Sequence, residues 1–323
     1  MRVERGIEFS TDREISELVD LGERAEAAGF DALLASSHYN NRDPVAALTA
    51  LAEATEAPNL GPAAANPYDT HPARLASQVA TVQEYSGGRA LFGVGAGDKS
   101  TLRNLGVERE RPLRRVLETV QVTRKLHAGE RATHHGTFDC EDAGLNYEVD
   151  PVPAYVGAQG PDMLRMAGKH ADGVLVNASH PDDVRWSRER IAEGERERVR
   201  EDPVDVAVYA SVSVAEDGDA ARAAARPVVA FIAAGAPGAV LDRHGLSRER
   251  AERVGERISA GDISGAAGAV SEGMIDAFCL AGTPEEIEPG VEAILDAADG
   301  IVAAAPLGPD ERAAIELIPR VLD

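Results

Sequence analysis

Lysine is almost absent from this chain of 323 residues: it stands only at 99, 125 and 169, against 55 aspartates and glutamates. With 33 basic residues in all, the formal net charge is −22. The acidity is spread along the whole chain rather than gathered in a tail. Nucleic acid needs a basic footprint and an anionic membrane attracts a basic patch, so this composition argues against both as partners. Self-repulsion of this size strains a fold in dilute buffer, whereas in molar salt the Debye length falls to about 3 Å and the repulsion is screened. Scarce lysine, 4% aromatics and an acidic surface point to a halophilic, salt-adapted protein. The midpoint of thermal unfolding is therefore expected to rise from dilute buffer to molar KCl. An unchanged midpoint in a calorimetric scan across that range removes the argument.

Other scarcities narrow the field further. The two cysteines, Cys140 and Cys279, match no metal or redox spacing, and Cys279 sits in a strand-like apolar run over 277–280. The eight histidines contain no HExxH pattern, and the adjacent His134 and His135 suit a loop; no metal is expected. No apolar run reaches membrane length and the first residues lack a signal peptide's apolar segment, so a cytoplasmic location is expected.

What is present is an alternation of short apolar runs and amphipathic segments from end to end. Strands are expected over 3–9, 32–36, 59–64, 90–95, 154–157, 173–177, 205–214, 277–280 and 300–304. Helices are expected over 12–28, opened by a capping box Thr11-x-x-Glu14, and over 44–54, 72–85, 112–128, 161–169, 181–199 and 309–322, with another opening at Thr283. Residues 129–150 read as irregular, and 217–271 as a helical insertion. A GxGxxG turn after the first strand, which a dinucleotide-binding open sheet needs, is missing. The expected fold is α/β: one (β/α)8 TIM barrel domain over 1–323, for which ~250 residues plus insertions is typical.

In such a barrel the carboxyl ends of the strands form the rim of the site. Glu8 ends the first run and Asp98 follows Gly95-Ala96-Gly97, so two acids can face one pocket; each can equally cap a turn or helix. The polar cluster Ser36–Asn41 can hydrogen-bond a heteroaromatic edge, and the small residues of Leu60–Tyr68 can form a flat wall behind a ring. Both can also be ordinary corners. Gly157–Pro161 and Asn177–Ser179 are neighbouring strand-to-helix turns of the kind that cradle phosphate. The apolar run Phe231–Pro237 suits the packing face of an inserted helix or a lid.

Taken in order, Gly-Ile-Glu-Phe at 6–9, His-Tyr-Asn-Asn at 38–41, Leu-Gly-Pro at 60–62, Asn-Pro-Tyr at 66–68 and Gly-Asp-Lys at 97–99 form a specific set. Gly-Ala-Gln-Gly-Pro at 157–161, Asn-Ala-Ser at 177–179, Val-Val-Ala-Phe-Ile-Ala-Ala-Gly at 228–235 and Arg-His-Gly-Leu at 243–246 complete it. Over nearly its whole length the chain resembles the coenzyme F420-dependent methylenetetrahydromethanopterin reductases of the bacterial-luciferase-like superfamily. The resemblance implies hydride transfer from reduced F420 to a methylene-tetrahydropterin one-carbon carrier. It makes Glu8 the proton donor and places Asp98 near deazaflavin and pterin. Cofactor contacts fall on His38, Ala63, Ala64, Asn66 and Gly95, with a non-proline cis peptide at Ala63-Ala64. The phosphate-bearing tail falls to Gln159, Gly160, Asn177, Ala178 and Ser179, and a substrate contact to Phe231. A homo-oligomer is also implied. Two departures stand out: Ser37 replaces an aspartate, and Ala63-Ala64-Ala65 replaces Gly-Val-Thr. Three rival functions remain: the same reduction on methylenetetrahydrofolate, an FMN-dependent monooxygenase, and a non-catalytic deazaflavin-binding protein.

Overall fold

The apolar strands alternate between two environments, the barrel lumen and the layer beneath the helices. A computed structural model describes residues 2–200 and 202–322. In chain order the first half comprises β1 (Arg5–Phe9), α1 (Ile15–Ala27), β2 (Ala32–Ala35), α2 (Pro44–Ala54), β3 (Asn59–Pro62), α3 (Pro72–Tyr85), β4 (Phe92–Val94), α4 (Lys99–Asn104), α5 (Pro112–His127), β5 (Ala132–His135), β6 (Asp139–Ala143), β7 (Ala154–Ala158), α6 (Pro161–His170) and β8 (Gly173–Asn177). The rest comprises α7 (Pro181–Glu195), β9 (Asp205–Val214), α8 (Gly218–Gly235), α9 (Gly238–Arg243), α10 (Arg248–Ser259), α11 (Ile263–Ala269), α12 (Glu272–Phe278), β10 (Leu280–Gly282), α13 (Pro284–Leu295), β11 (Gly300–Leu307), α14 (Glu311–Leu317) and α15 (Pro319–Leu322). Among the described residues, no helix is long and apolar enough to cross a membrane.

Eight parallel strands run in the order β3-β2-β1-β11-β9-β8-β7-β4. The ring is completed between β3 and β4 by isolated bridges, Leu60 to Ala90 and Ala65 to Val94, rather than by a ladder. Short β10 pairs with the far end of β9, opposite Val212–Val214, beyond the point where β8 stops pairing at Asn177–Tyr209. Along β2, Ala32 and Leu34 join the cluster that fills the lumen, with Val3, Leu91, Tyr155, Leu175, Ala207 and Val302. Leu33 and Ala35 face the helices and join the larger outer core. Pointing one way is lumen and the other is interlayer, as a filled barrel requires.

The amino ends of the strands are corked. The Tyr155 hydroxyl donates to Asp205 Oδ2 at 2.6 Å, and the Val3 amide donates to the same oxygen at 3.1 Å. A side chain at Gly173 would collide with the Tyr155 ring, at 2.2 Å, so the tyrosine lies where only glycine leaves room. The carboxyl ends stay open. Helices α8–α12 form a second apolar cluster of their own, built on Val229, Ala233, Leu241, Val254, Met274 and Ile275.

Several local expectations change. Thr11 does not cap α1: the N-cap is Glu14 without a side-chain bond, and the buried Thr11 hydroxyl donates instead to the Ser36 carbonyl at 3.2 Å. Residues 129–150 are not irregular throughout, since β5 and β6 pair antiparallel, with His134 opposite Cys140. His134 and His135 therefore lie on a strand. The run 277–280 is split: Ala277 and Phe278 close α12, Cys279 is its buried C-cap, and only Leu280 begins a strand.

Candidate active site

Glu8 lies near the carboxyl end of β1, paired in register with Leu34 of β2, and is only 5% exposed. Its neighbours at that level are Ser36, just past β2, and Tyr209 on β9; both hydroxyls hydrogen-bond its carboxyl group. Burial pushes the Glu8 carboxyl up from its usual 4.5 to about 7, and Glu311 at the start of α14 pushes the same way. The hydrogen bonds from Tyr209 and Ser36, and the Arg13 guanidinium, restrain the shift. Arg13 is itself ion-paired to Glu311, tying the loop after β1 to α14. Burial and the Glu8 charge together raise the Tyr209 phenol well above its ordinary value, so it remains a donor. Burial thus makes Glu8 an acid that can hold its proton close to neutrality, at the open end of the barrel.

Sequence reasoning missed Tyr209. Part of the signal was available: alternation along 205–214 puts Asp205, Ala207 and Tyr209 on the lumen face, and Tyr209 is the largest polar side chain on that face.

At the carboxyl ends of β3, β4 and β7 the residues are small. Beyond β3 the chain turns inward through a cis peptide at Ala63-Ala64. An added Cβ at Gly95 would stand 3.3 Å from the Ala64 Cβ, and one at Gly157 would stand 3.8 Å from it. Ala64, Gly95 and Gly157 thus lie against one another and leave the backbone bare at this point, which is what the close approach of a flat ring requires. Outside the turn lies a cavity of about 390 Å³, with Leu48, Leu60, Leu75 and Val79 inside and His38, Asn66 and Asp69 among its polar residues. His38 is exposed, whereas Asn66 is buried. Gly97 has φ +71°, and a Cβ there would come within 2.6 Å of the Asn66 amide, so glycine lets the loop after β4 lie on Asn66.

The other acid is placed differently. Asp98 is exposed, and its Oδ1 accepts from the Thr101 amide at 2.9 Å and the Thr101 hydroxyl at 3.1 Å, at the head of α4. These two bonds are those of a helix cap. Phe231 is 53% exposed on α8 and lines neither of the two cavities at the barrel mouth. Its neighbours Ala230 and Ala233 supply the packing face.

The two expected tail turns do converge. Gln159, Asn177, Ala178 and Ser179 line a cavity of about 40 Å³, closed from the other side by Ile232, Val240, Arg243 and Phe278 of the helical layer. Gly160, the N-cap of α6, stands exposed next to Gln159. The Ser179 hydroxyl accepts from the Ser211 amide at 3.0 Å, which leaves its own proton for an anion.

Residues 3–303 of this parallel barrel, with its non-proline cis turn and buried acid at the open end, match the luciferase-like monooxygenase family. Within that class the chain belongs to the 5,10-methylenetetrahydromethanopterin reductase family. It is 42% identical to the Archaeoglobus fulgidus enzyme of that name, over 97% of this chain and 96% of the other. It is 40% identical to that of Methanolobus tindarius, over 97% of each. The solved coenzyme F420-dependent tetrahydromethanopterin reductase of Methanopyrus kandleri superposes with a TM-score of 0.93 at 37% identity, covering 99% of this chain and 98% of that one.

Proposed function

We propose that this protein is an F420-dependent 5,10-methylenetetrahydromethanopterin reductase, with Glu8 as its general acid. Family membership supports the reaction, and the single structural observation that carries the mechanism is the Glu8 carboxyl buried at the open end of the barrel beside Tyr209 and Ser36. Reduced F420, when bound, supplies the hydride. The small residues Ala64, Gly95 and Gly157 would back its ring, His38 and Asn66 would meet the ring's edge, and Gln159, Gly160, Asn177, Ala178 and Ser179 would hold its tail.

The substrate's methylene carbon bridges two nitrogens. Opening that bridge requires a proton on the leaving nitrogen and leaves a cationic carbon ready for hydride. Glu8 delivers the proton from its protonated form and, once ionised, stabilises the positive carbon. Tyr209 and Ser36 orient the carboxyl group and keep its acidity close to the working pH. Asp98, at the rim, would act on binding rather than on the buried proton. In the same reading the enzyme works in a salt-rich cytoplasm as a homo-oligomer, for which light scattering in molar KCl is the measurement.

Assays of methylenetetrahydromethanopterin and methylenetetrahydrofolate against reduced F420, reduced FMN and NADPH test the function. Turnover is expected with reduced F420 and the methanopterin substrate. Turnover confined to the folate, or oxygen uptake with FMN, overturns it. The role of Tyr209 has its own signature. Tyr209→Phe removes a hydrogen bond to a charged group, and the alkaline limb of the pH–rate profile is expected to move up by about one unit from its position near 7. A limb that stays in place separates Tyr209 from the acid.

A further inference from the structure

The Arg-His-Gly-Leu run at 243–246 plays no part in the chemistry above, yet the fold brings its first two residues to the tail turns. Arg243 ends α9 and donates to Asp183 of α7, while His244 Nε2 lies 2.8 Å from the other oxygen of the same carboxylate. The Arg243 guanidinium stacks 4.8 Å from the centroid of the Trp186 ring. His180, the N-cap of α7, meets the His244 ring edge-on at 4.6 Å. Among the described residues, Arg243 is the one basic side chain on the wall of the cavity that Gln159, Asn177 and Ser179 line.

This arrangement answers an electrostatic difficulty. The first turn of α7 has no amide to spare for an anion, since Pro181 has none and His180 takes those of Asp182 and Asp183, and the turn carries two carboxylates, Asp182 and Asp183, which repel an anion. Arg185 pairs with Asp182 and Arg243 with Asp183, so the turn is neutralised. A guanidinium has five N–H donors, and the bond to Asp183 uses one. Tethered by Asp183 and stacked on Trp186, Arg243 is held in place before any ligand arrives, and little side-chain freedom remains to be lost on binding. In a chain of net charge −22, a phosphate-bearing ligand needs such fixed N–H donors on a turn whose carboxylates are already paired.

We propose that Arg243, delivered by the helical layer, is a direct ligand of the cofactor's phosphate, and that Asp183 is its positioning residue. The proposal rests on the F420 reading above. It is tested by titrating F420, and the deazaflavin nucleoside that lacks the phosphate tail, into wild type, Arg243→Met and the double variant Asp183→Asn/Arg243→Met. Arg243→Met is expected to weaken F420 binding roughly 10- to 100-fold, the scale of a charge-assisted hydrogen bond, and to leave the tail-less compound unchanged. The double variant is expected to stay weak, because removing the carboxylate restores neutrality but not the donor. Inorganic phosphate should compete with F420 in wild type and lose that competition in Arg243→Met. If Arg243→Met does not fold, Arg243→Gln, which keeps an amide to donate to Asp183, carries the same expectation. Wild-type affinity for F420 in the single variant, recovery in the double variant, or equal loss for both deazaflavins overturns the proposal. A wild-type protein that binds no F420 overturns the underlying reading instead, so the two failures are distinct.

Discussion

Glu8→Gln is expected to cost most of the turnover and to make the protein more stable at alkaline pH. Glutamine keeps the size of the side chain and its contacts with Tyr209 and Ser36, but it cannot deliver a proton. General acid–base groups contribute about 100- to 10,000-fold, so steady-state turnover should fall by that much while F420 affinity changes little. The stability effect follows from the same burial. The folded carboxyl titrates at about 7 and the ordinary value is 4.5, so the folded protein holds its proton more tightly than the unfolded chain does. The stabilisation from holding that proton is complete below about 4.5 and is lost as pH rises to about 7. At 1.36 kcal/mol per unit, the loss is on the order of 3 kcal/mol. Glutamine does not titrate, so the variant should outlast wild type in thermal unfolding at pH 8 and lose that advantage near pH 4.5. Wild-type turnover would make Glu8 structural, and equal melting at pH 8 would remove the burial argument.

Glu118→Gln should have the largest effect in the opposite direction. Glu118 is a buried residue on α5, and it accepts from the Thr137 amide at 2.8 Å, the Thr137 hydroxyl at 2.6 Å and Arg114 Nε at 2.5 Å. His134 Nε2 lies 3.1 Å away, so this one carboxylate fastens the hairpin of β5 and β6 to the barrel's outer layer. Burial alone would raise its pKa, but the bonds from Thr137 and Arg114, with the His134 ring nearby, outweigh burial and hold it at about 2. The resulting stabilisation is fully present above the ordinary carboxylate value and drains away as pH falls from about 4.5 to about 2. Its size is on the order of 3 kcal/mol. Urea unfolding of Glu118→Gln at pH 7 is expected to show a loss of about 2–3 kcal/mol, with the gap to wild type closing as pH falls towards 2. A midpoint equal to wild type at pH 7 would show that the hairpin is held by other contacts.

These two glutamates mark what was legible in the sequence. Glu8 could be placed because an apolar run ends just beyond it. Helices α2 and α3 were bounded to the residue by Pro44 and Pro72, each preceded by a side chain that caps, Asp43 and His71. Glu118 offered nothing to read, because its partners lie in β5 and β6, whose exposed sequences ATHH and DCEDA show no apolar alternation. The 277–280 run misled because four apolar residues suit a helix end as well as a strand. Thr11 misled because its hydroxyl found Ser36, distant in sequence, before any helix amide. Asp183 and Arg243 are 60 positions apart, and pairing across helical layers has no local signature.

The bridged join between β3 and β4 has a mechanical consequence. Seven neighbouring strand pairs in the ring share a ladder, while this pair meets only through bonds such as Leu91 N to Leu60 O at 2.9 Å and Gly95 N to Ala65 O at 3.0 Å. A hoop with one compliant joint deforms at that joint and leaves the remaining circumference stiff. The joint adjoins Ala64 and Gly95, so the wall can yield by fractions of an ångström to a guest molecule while the arc from β1 through β11 to β9, which aligns Glu8 with Tyr209, stays rigid.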